Sequence, residues 1–404
     1  MKKLYTIIMA MLFTGVMYSQ SPWVLLTSGT TQTLNGINFY NDNTGIVVGA
    51  SGIELRTTNA GANWTPSTTT GTTNDLHSVK LTSVDTGYAT GNAGTIVKTV
   101  DGGVNWTALS SGSSEAFRFI FFSNSNTGYV CGTNGAILKT TNAGGTWNLL
   151  TTNTTNAIYG LYFSDSNNGC AVGLNGIVLY TSDGGSTWTA GSSGTTTVLY
   201  YVYFTSVLNG FAVGDNSVAI KTVDGGHTWT AMNMGTAGLN LCGIKFLSPT
   251  TGFVSGGNVG ANTSAIIKTN DGGNTWALQT TAGNRLARVS VPSYNVGYAC
   301  GLNGTIIKTT EINAGINEYE NNISCNIYPN PFTSQTTISF SEQQKNTTIK
   351  IMDVVGKEIK TVLFSGKSLI LEKGEMQSGV YFVQITDEKK NVVNKKVVVE
   401  WRKF

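Results

Sequence analysis

Residues 99–106 read TVDGGVNW, and the same octapeptide returns as TTNAGANW (57–64), TTNAGGTW (140–147), TSDGGSTW (181–188), TVDGGHTW (222–229) and TNDGGNTW (269–276). Each copy ends in tryptophan. Starting from Trp23, the residues Trp23, Trp64, Trp106, Trp147, Trp188, Trp229 and Trp276 are spaced 41, 42, 41, 41, 41 and 47 apart. A period near 41 denotes a repeat architecture. The wide last gap has a local origin, because GGNVGANTSA (256–265) replaces the shorter GDNSVA (214–219).

Outward from the octapeptide, every unit has the same order. An alternating strand (LNGINFYN, LHSVKLTS, FRFIFFSN) precedes a Gly-aromatic strand (TGYATG, TGYVCG, NGFAVG) and a third strand (GTIVKT, GAILKT); a short fourth follows the tryptophan. Four short strands per repeat, with Gly/Asn turns and no helical spacing, predict the blade of a β-propeller. The seventh unit, Arg285 to Thr310, has three strands and no closing tryptophan, whereas SPWVLLTSG from Ser21 matches segments such as NWTALSSG. The first strand is therefore expected to complete the last blade and remove an open sheet edge. The fold class is all-β: a seven-bladed propeller over residues 20–310, followed by a small antiparallel β-sandwich.

The octapeptides resemble the Asp-box, Ser/Thr-x-Asp-x-Gly-x-Thr-Trp, of sialidases, xyloglucan-cleaving endoglucanases, sortilin-type receptors and photosystem II assembly-factor propellers. Asp101, Asp183, Asp224 and Asp271 hold the acid position, and Asn59 and Asn142 replace it in two blades. Asn accepts backbone N–H bonds as well as Asp does, so these six residues are read as structural turn formers rather than catalytic acids or calcium ligands. In repeat length and in its GYxxG and IxKT texture, the stretch from Ser21 to Thr310 is most similar, among these families, to the assembly-factor group. That resemblance specifies a fold far better than an activity.

Both ends of the chain carry address-like features. Lys2 and Lys3 precede an apolar run from Leu4 to Met17 and a polar group from Tyr18 to Ser21, the order of a secretory signal, assigned to residues 1–19. As a helix its 14 residues would rise only about 21 Å, short of the roughly 30 Å hydrocarbon core. After a polar linker at 311–324, residues 325–404 turn to alternating strands and a basic balance, 12 Lys/Arg against 8 Asp/Glu, compared with 11 against 11 in residues 20–310. This region resembles the type A C-terminal sorting domain of type IX secretion cargo in Bacteroidetes. The residues that carry the resemblance are Tyr328, Pro329, Asn330 and Pro331, then Asp353, Gly356 and Lys357, then Gly379 and Tyr381, then Lys395 and Lys396. It implies periplasmic transit, engagement of the type IX secretion machinery, and a secreted or outer-membrane surface destination.

Composition excludes several functions. The 404 residues include only 12% charged residues and a net charge of +3, which argues against nucleic-acid binding and against disorder. Five cysteines (Cys131, Cys170, Cys242, Cys300, Cys325) and two histidines without a cluster predict neither a disulfide nor a metal site. No cofactor is expected, and the chain is expected to be a monomer.

If the chain holds a ligand, the place expected for it is the propeller face where the inner strands begin; the alternative is that the side chains there only fill the channel mouth. Aligned on Ile37, Val79, Ile120, Leu161, Val202, Ile244 and Val289, the inner strands have one variable position two residues earlier: Asn35, His77, Arg118, Tyr159, Tyr200, Cys242 and Ala287, with Tyr201 and Arg288 one residue further on. Of these, His77, Arg118, Tyr159, Tyr200, Tyr201 and Arg288 are the candidate binding residues for an unknown glycan or protein ligand. Catalysis is not expected. A glycosidase needs two facing carboxylates, and the candidates near this face, Asp75, Glu115 and Asp215, share no motif. The reading is a secreted or cell-surface binding scaffold; the alternative is a polysaccharide-active glycoside hydrolase of the Asp-box propeller kind.

Overall fold

The computed structural model describes residues 23–258, 260–279, 283–310, 312, 325–353, 357–374, 376–388 and 392–400. The segment read as a signal peptide, nearly all of the linker, and Gly356 lie outside the described residues. The chain divides into two compact units, Met1–Ile312 and Asn313–Phe404.

In the first unit, seven four-stranded antiparallel sheets follow one another, the blades of a propeller. Their inner strands are Leu34–Phe39, Leu76–Leu81, Phe117–Phe122, Ile158–Phe163, Leu199–Phe204, Asn240–Phe246 and Leu286–Ser290, numbered here as blades 1 to 7. The chain's first described strand, Trp23–Leu26, is the outer strand of blade 7: it pairs with Ile306–Thr309, Trp23 opposite Thr309. Trp23 also donates its indole N–H to Gln279 Oε1 of blade 6 (2.9 Å).

The glycine that recurs in each second strand, facing the start of the inner strand, has a steric cause. A Cβ at Gly49, Gly91, Gly132, Gly173, Gly214, Gly256 or Gly301 would sit 1.9–2.2 Å from a main-chain carbonyl oxygen at or just before the start of the inner strand. No side chain larger than hydrogen fits there.

The octapeptide turns share one hydrogen-bond pattern. The hydroxyls of Thr57, Thr99, Thr140, Thr181, Thr222 and Thr269 donate to the side-chain oxygen two residues on, at 2.7–3.0 Å. That oxygen, on Asn59, Asp101, Asn142, Asp183, Asp224 or Asp271, accepts the N–H four residues later. Asn and Asp do the same work at this oxygen, which only accepts; their second polar atoms differ, Asp183 Oδ2 accepting from Thr187 Oγ1 and Asn142 Nδ2 donating to Thr146 Oγ1. In five blades the tryptophan after the turn meets the last phenylalanine of the inner strand edge-on, as in Phe122–Trp147 and Phe163–Trp188.

Adjacent blades are also stapled. Tyr88 Oη and Lys98 Nζ of blade 2 both donate to Ala143 O in the turn of blade 3 (2.8 and 3.1 Å), and Tyr129 and Lys139 of blade 3 treat Gly184 O of blade 4 alike. Blade 7 grips blade 1 through Tyr298 to Asp42 O and Lys308 to Ala60 O.

One core position breaks the pattern. Opposite the second strand, six blades place Ile96, Ile137, Val178, Ala219, Ile266 and Ile306, but blade 1 places Glu54 against Val48. Glu54 is 1% exposed, and neither carboxyl oxygen has a hydrogen-bond partner. Burial pushes its carboxyl up to about 9.

The second unit is one five-stranded sheet folded on itself. Gln335–Met352 pairs along its length with Glu358–Glu372, while Cys325–Tyr328 pairs with its first half and Gly379–Thr386 with its second. Ile338 and Phe340 from one half, and Ile349 and Ile351 from the other, share one core with Tyr381, Val383 and Val397. Two layers are thus made without breaking the hydrogen-bonded sheet.

Candidate functional site

Each inner strand carries a bulge at its start, where the register shifts between Leu34 and Gly36 in blade 1 and at the equivalent pair in every other blade. The bulge turns the residue at this position toward the axis. There the ring residues meet. His77 Nε2 lies 2.8 Å from Asn92 Oδ1 and 2.9 Å from Arg118 Nη1. One tautomer donates Nε2–H to Asn92; the other leaves Nε2 bare to accept from Arg118. Burial lowers the imidazole's affinity for a proton, and the Arg118 and Arg288 charges act in the same direction, so the ring is held in its neutral form.

Tyr159 and Tyr200 stand edge to face with centroids 5.6 Å apart. Burial, followed by the neighbouring Asp215, raises the Tyr200 phenol well above its ordinary range. Asn35 is used internally, donating to Leu76 O (2.9 Å).

Tyr201 and Arg288 sit deeper. Arg288, from blade 7, reaches across the channel until its guanidinium is 5.0 Å from the Tyr201 ring centroid and 5.9 Å from that of Phe119. Phe119 and Tyr201 meet edge-on at 4.9 Å. Arg288 Nη1 also donates to Cys242 O and Ala287 O, and Arg285 Nη1 contacts Cys242 Sγ (3.3 Å). Arg288 is therefore no outlier from the ring but joins blades 3, 5, 6 and 7.

The structure brings Arg118, Arg285 and Arg288 to the channel and leaves Arg56 on the third strand of blade 1. The buried Nε–H groups of all three channel arginines, and Asp215 Oδ1, have no hydrogen-bond partner. Unspent buried donors are costly unless something accepts from them. Asp75 and Glu115 are spent on loop geometry: Asp75 Oδ1 accepts from Ser51 N–H (2.8 Å), and Glu115 accepts from Thr133 Oγ1 and Asn134 Nδ2. Those bonds hold the Glu115 carboxyl below its usual range. All five thiols are free and buried, and among the described residues no group of His, Cys, Asp or Glu is arranged to hold a metal.

Sequence reasoning missed a second tier beneath the ring: Asn38, Lys80, Phe121, Tyr162, Tyr203 and Lys245. The available signal was the residue following each aligned aliphatic, which on a flat sheet would read as solvent-facing.

In the second unit, the residues read as a sorting motif organise the fold's edge. Asn330 donates to Lys396 O and accepts from Val398 N–H (both 2.8 Å), fastening its loop to the last strand. Asp353 Oδ1 accepts Lys357 N–H (2.9 Å) to close a turn, and the Tyr381 hydroxyl donates to Gln377 O (3.0 Å). Gly379 begins a strand in which Val383 pairs with Lys395 and Phe382 with Lys396, while Tyr328 is 80% exposed.

Known proteins resemble both units. The family model described as photosynthesis system II assembly factor YCF48 matches residues 16–110, 69–155 and 145–233, together more than half of the chain; the secretion system C-terminal sorting domain matches residues 326–400. An endo-acting ulvan lyase of Formosa agariphila is 36% identical over 75 residues, which are 18% of this chain and 14% of the lyase, so the chain spans only a small part of that relative's length. Among solved structures, YCF48 bound to D1 peptide aligns with TM-score 0.61 at 19% identity, covering 72% of this chain and 98% of that one. YCF48 from Cyanidioschyzon merolae aligns at 0.59 and 18%, covering 71% and 98%. The Niastella koreensis GH74 enzyme aligns at 0.58 and 14%, covering 94% of this chain and 75% of the enzyme. At such identities the likeness is one of fold, and the sorting domain directs the protein to secretion or the cell surface.

Proposed function

We propose that this chain, which belongs to the photosynthesis system II assembly factor YCF48 family, is a binding scaffold exported through the type IX route, holding a protein segment or glycan over the ring formed by His77, Arg118, Tyr159, Tyr200, Tyr201 and Arg288. The observation that carries this reading is the gathering of His77 with Arg118 and of Tyr159 with Tyr200 at one end of the channel, above Arg288 and Tyr201. A ligand rich in carbonyl or hydroxyl oxygens suits the arginine and imidazole groups, and the Tyr159 and Tyr200 rings offer it apolar faces. The sorting domain supports delivery of this surface to the outside of the cell.

Binding should respond to the ring and not to the octapeptide turns. Against any peptide or glycan captured by the full chain, Tyr200→Ala and Arg118→Ala should each cost about 2 kcal/mol, roughly thirtyfold in affinity, with little change in melting temperature. Asp183→Ala should lower the melting temperature and leave affinity intact below it. The reverse pattern would move the site elsewhere.

Hydrolysis of a polysaccharide is the second reading, favoured by one observation: the unpartnered Asp215 Oδ1 beside Tyr200. Its would-be partners Asp75 and Glu115 are engaged in their own loops. New reducing ends released from a glycan by the wild type, and lost in Asp215→Asn, would establish it over the binding reading.

A further inference from the structure

The second tier of the channel has a chemistry of its own. Its side chains line, together with Arg288, a cavity of about 100 Å³ enclosed by inner strands from all seven blades. Three cationic side chains face it, Lys80, Lys245 and Arg288, and no Asp or Glu does. Arg288 spends its charge on two carbonyls and on the Tyr201 ring. The lysines have no such outlet. Among the described residues neither ammonium makes a hydrogen bond or an ion pair, and Lys245 Nζ has only the Tyr203 ring, 4.9 Å from its centroid.

Two half-buried ammonium groups set in one channel with no carboxylate facing them repel each other, and a counter-charge placed between them relieves that repulsion. We propose that the lower tier is an anion site, in which one oxyanion group (carboxylate, sulfate or phosphate) sits between Lys80 and Lys245 against a wall formed by Phe121, Tyr162 and Tyr203. The cavity holds about the volume of three waters at ~30 Å³ each, enough for one such group. Access is from the end opposite the ring. Lys80 also lines a groove of about 340 Å³ with Tyr40, Thr82 and Asn124, next to the turns that follow the inner strands. A free inorganic anion and the acidic end of a larger ligand would present the same group.

Burial depresses both lysines, Lys245 to about 8, with the Lys80 charge adding to it. The other titratable groups facing the cavity are the Arg288 guanidinium and the phenols of Tyr162, Tyr201 and Tyr203; burial raises the three phenols, which stay neutral through the same range. An anion that needs the charged lysine should lose affinity as pH rises through the Lys245 value.

The test uses the full chain, titrated calorimetrically with sulfate, phosphate or acetate against chloride at constant ionic strength. Saturable one-site binding of at least one oxyanion is expected, falling as pH is raised through the Lys245 value. Sulfate or phosphate binding without acetate would assign an inorganic-type site, and acetate binding a carboxylate-type one. Lys80→Met and Lys245→Met should each weaken binding roughly tenfold or more, while Lys360→Met on the second unit leaves it unchanged. Absence of saturable binding by all three anions, binding that does not respond to pH, or equal binding by well-folded Met variants would overturn the proposal. The wild-type pH titration decides the matter even if those variants misfold.

Discussion

Replacing Glu54 with isoleucine should stabilise the propeller, by an amount that grows with pH. The site already has the shape of an aliphatic core position, since the equivalent residues in other blades include Ile96, Ile137 and Ile306. The folded carboxyl takes up its proton at about 9, against 4.5 for an ordinary glutamate. At neutral pH the unfolded chain carries Glu54 ionised and the folded chain carries it protonated. Folding must therefore bind a proton across about 2.5 pH units, at ~1.4 kcal/mol per unit, a cost of about 3 kcal/mol. The sign follows from linkage: the native state holds more protons, so stability is full below 4.5 and declines as pH rises toward 9. Isoleucine removes both the titration and the unpartnered oxygens. Urea denaturation of the full chain and of Glu54→Ile, at mildly acidic, neutral and mildly alkaline pH, measures the gap. A gap of about 3 kcal/mol at neutral pH, widening as pH rises, is expected. A variant no more stable than the wild type at neutral pH, or a gap that stays constant with pH, would refute the reasoning.

Other outcomes follow from the same structure. The Thr187 hydroxyl and N–H hold the Asp183 carboxyl down at about 2, so its contribution is present above 3.8 and lost as pH falls through about 2. Asp183→Asn should keep the turn, as Asn142 does, and remove that acid dependence in thermal melts, whereas Asp183→Ala should lower the melting temperature at neutral pH. Deleting residues 21–30 should lower the melting temperature and promote association through the exposed Ile306–Thr309 edge, read by light scattering. Removing residues 325–404 should strand the propeller in the periplasm, read by fractionation; normal appearance at the surface would count against the type IX assignment.

The fold was legible because its determinants are local and repeated. Spacing of the tryptophans, the glycine in each second strand that faces the start of the inner strand and the acceptor in each turn are contacts within a blade or with its neighbour, so they recur in register with the chain. The ring was legible for a related reason: a bulge at a fixed place makes one position variable in all seven strands. The second tier was not. Lys80 and Lys245 follow core aliphatics in alternating strands, and alternation alone assigns them to solvent. Only the closing of seven strands around one axis converts that polar side into a channel wall. Arg288 was legible as a position beside the ring, but its reach was not, since a long side chain that crosses the channel to Phe119 and Tyr201 leaves no trace in spacing.

The pairing of Trp23–Leu26 with Ile306–Thr309 has a kinetic consequence. Every other sheet pairing in the propeller joins strands close in sequence, so each of those hairpins forms early and independently. Closure alone joins segments at opposite ends of the domain, and loop-closure entropy grows only with the logarithm of the intervening length. Its thermodynamic penalty is modest, but its timing is fixed: the ring cannot lock until the last blade exists. Until then the first strand is without a partner and the final blade shows a bare edge, so the slow phase of folding and the window for misassembly are the same interval.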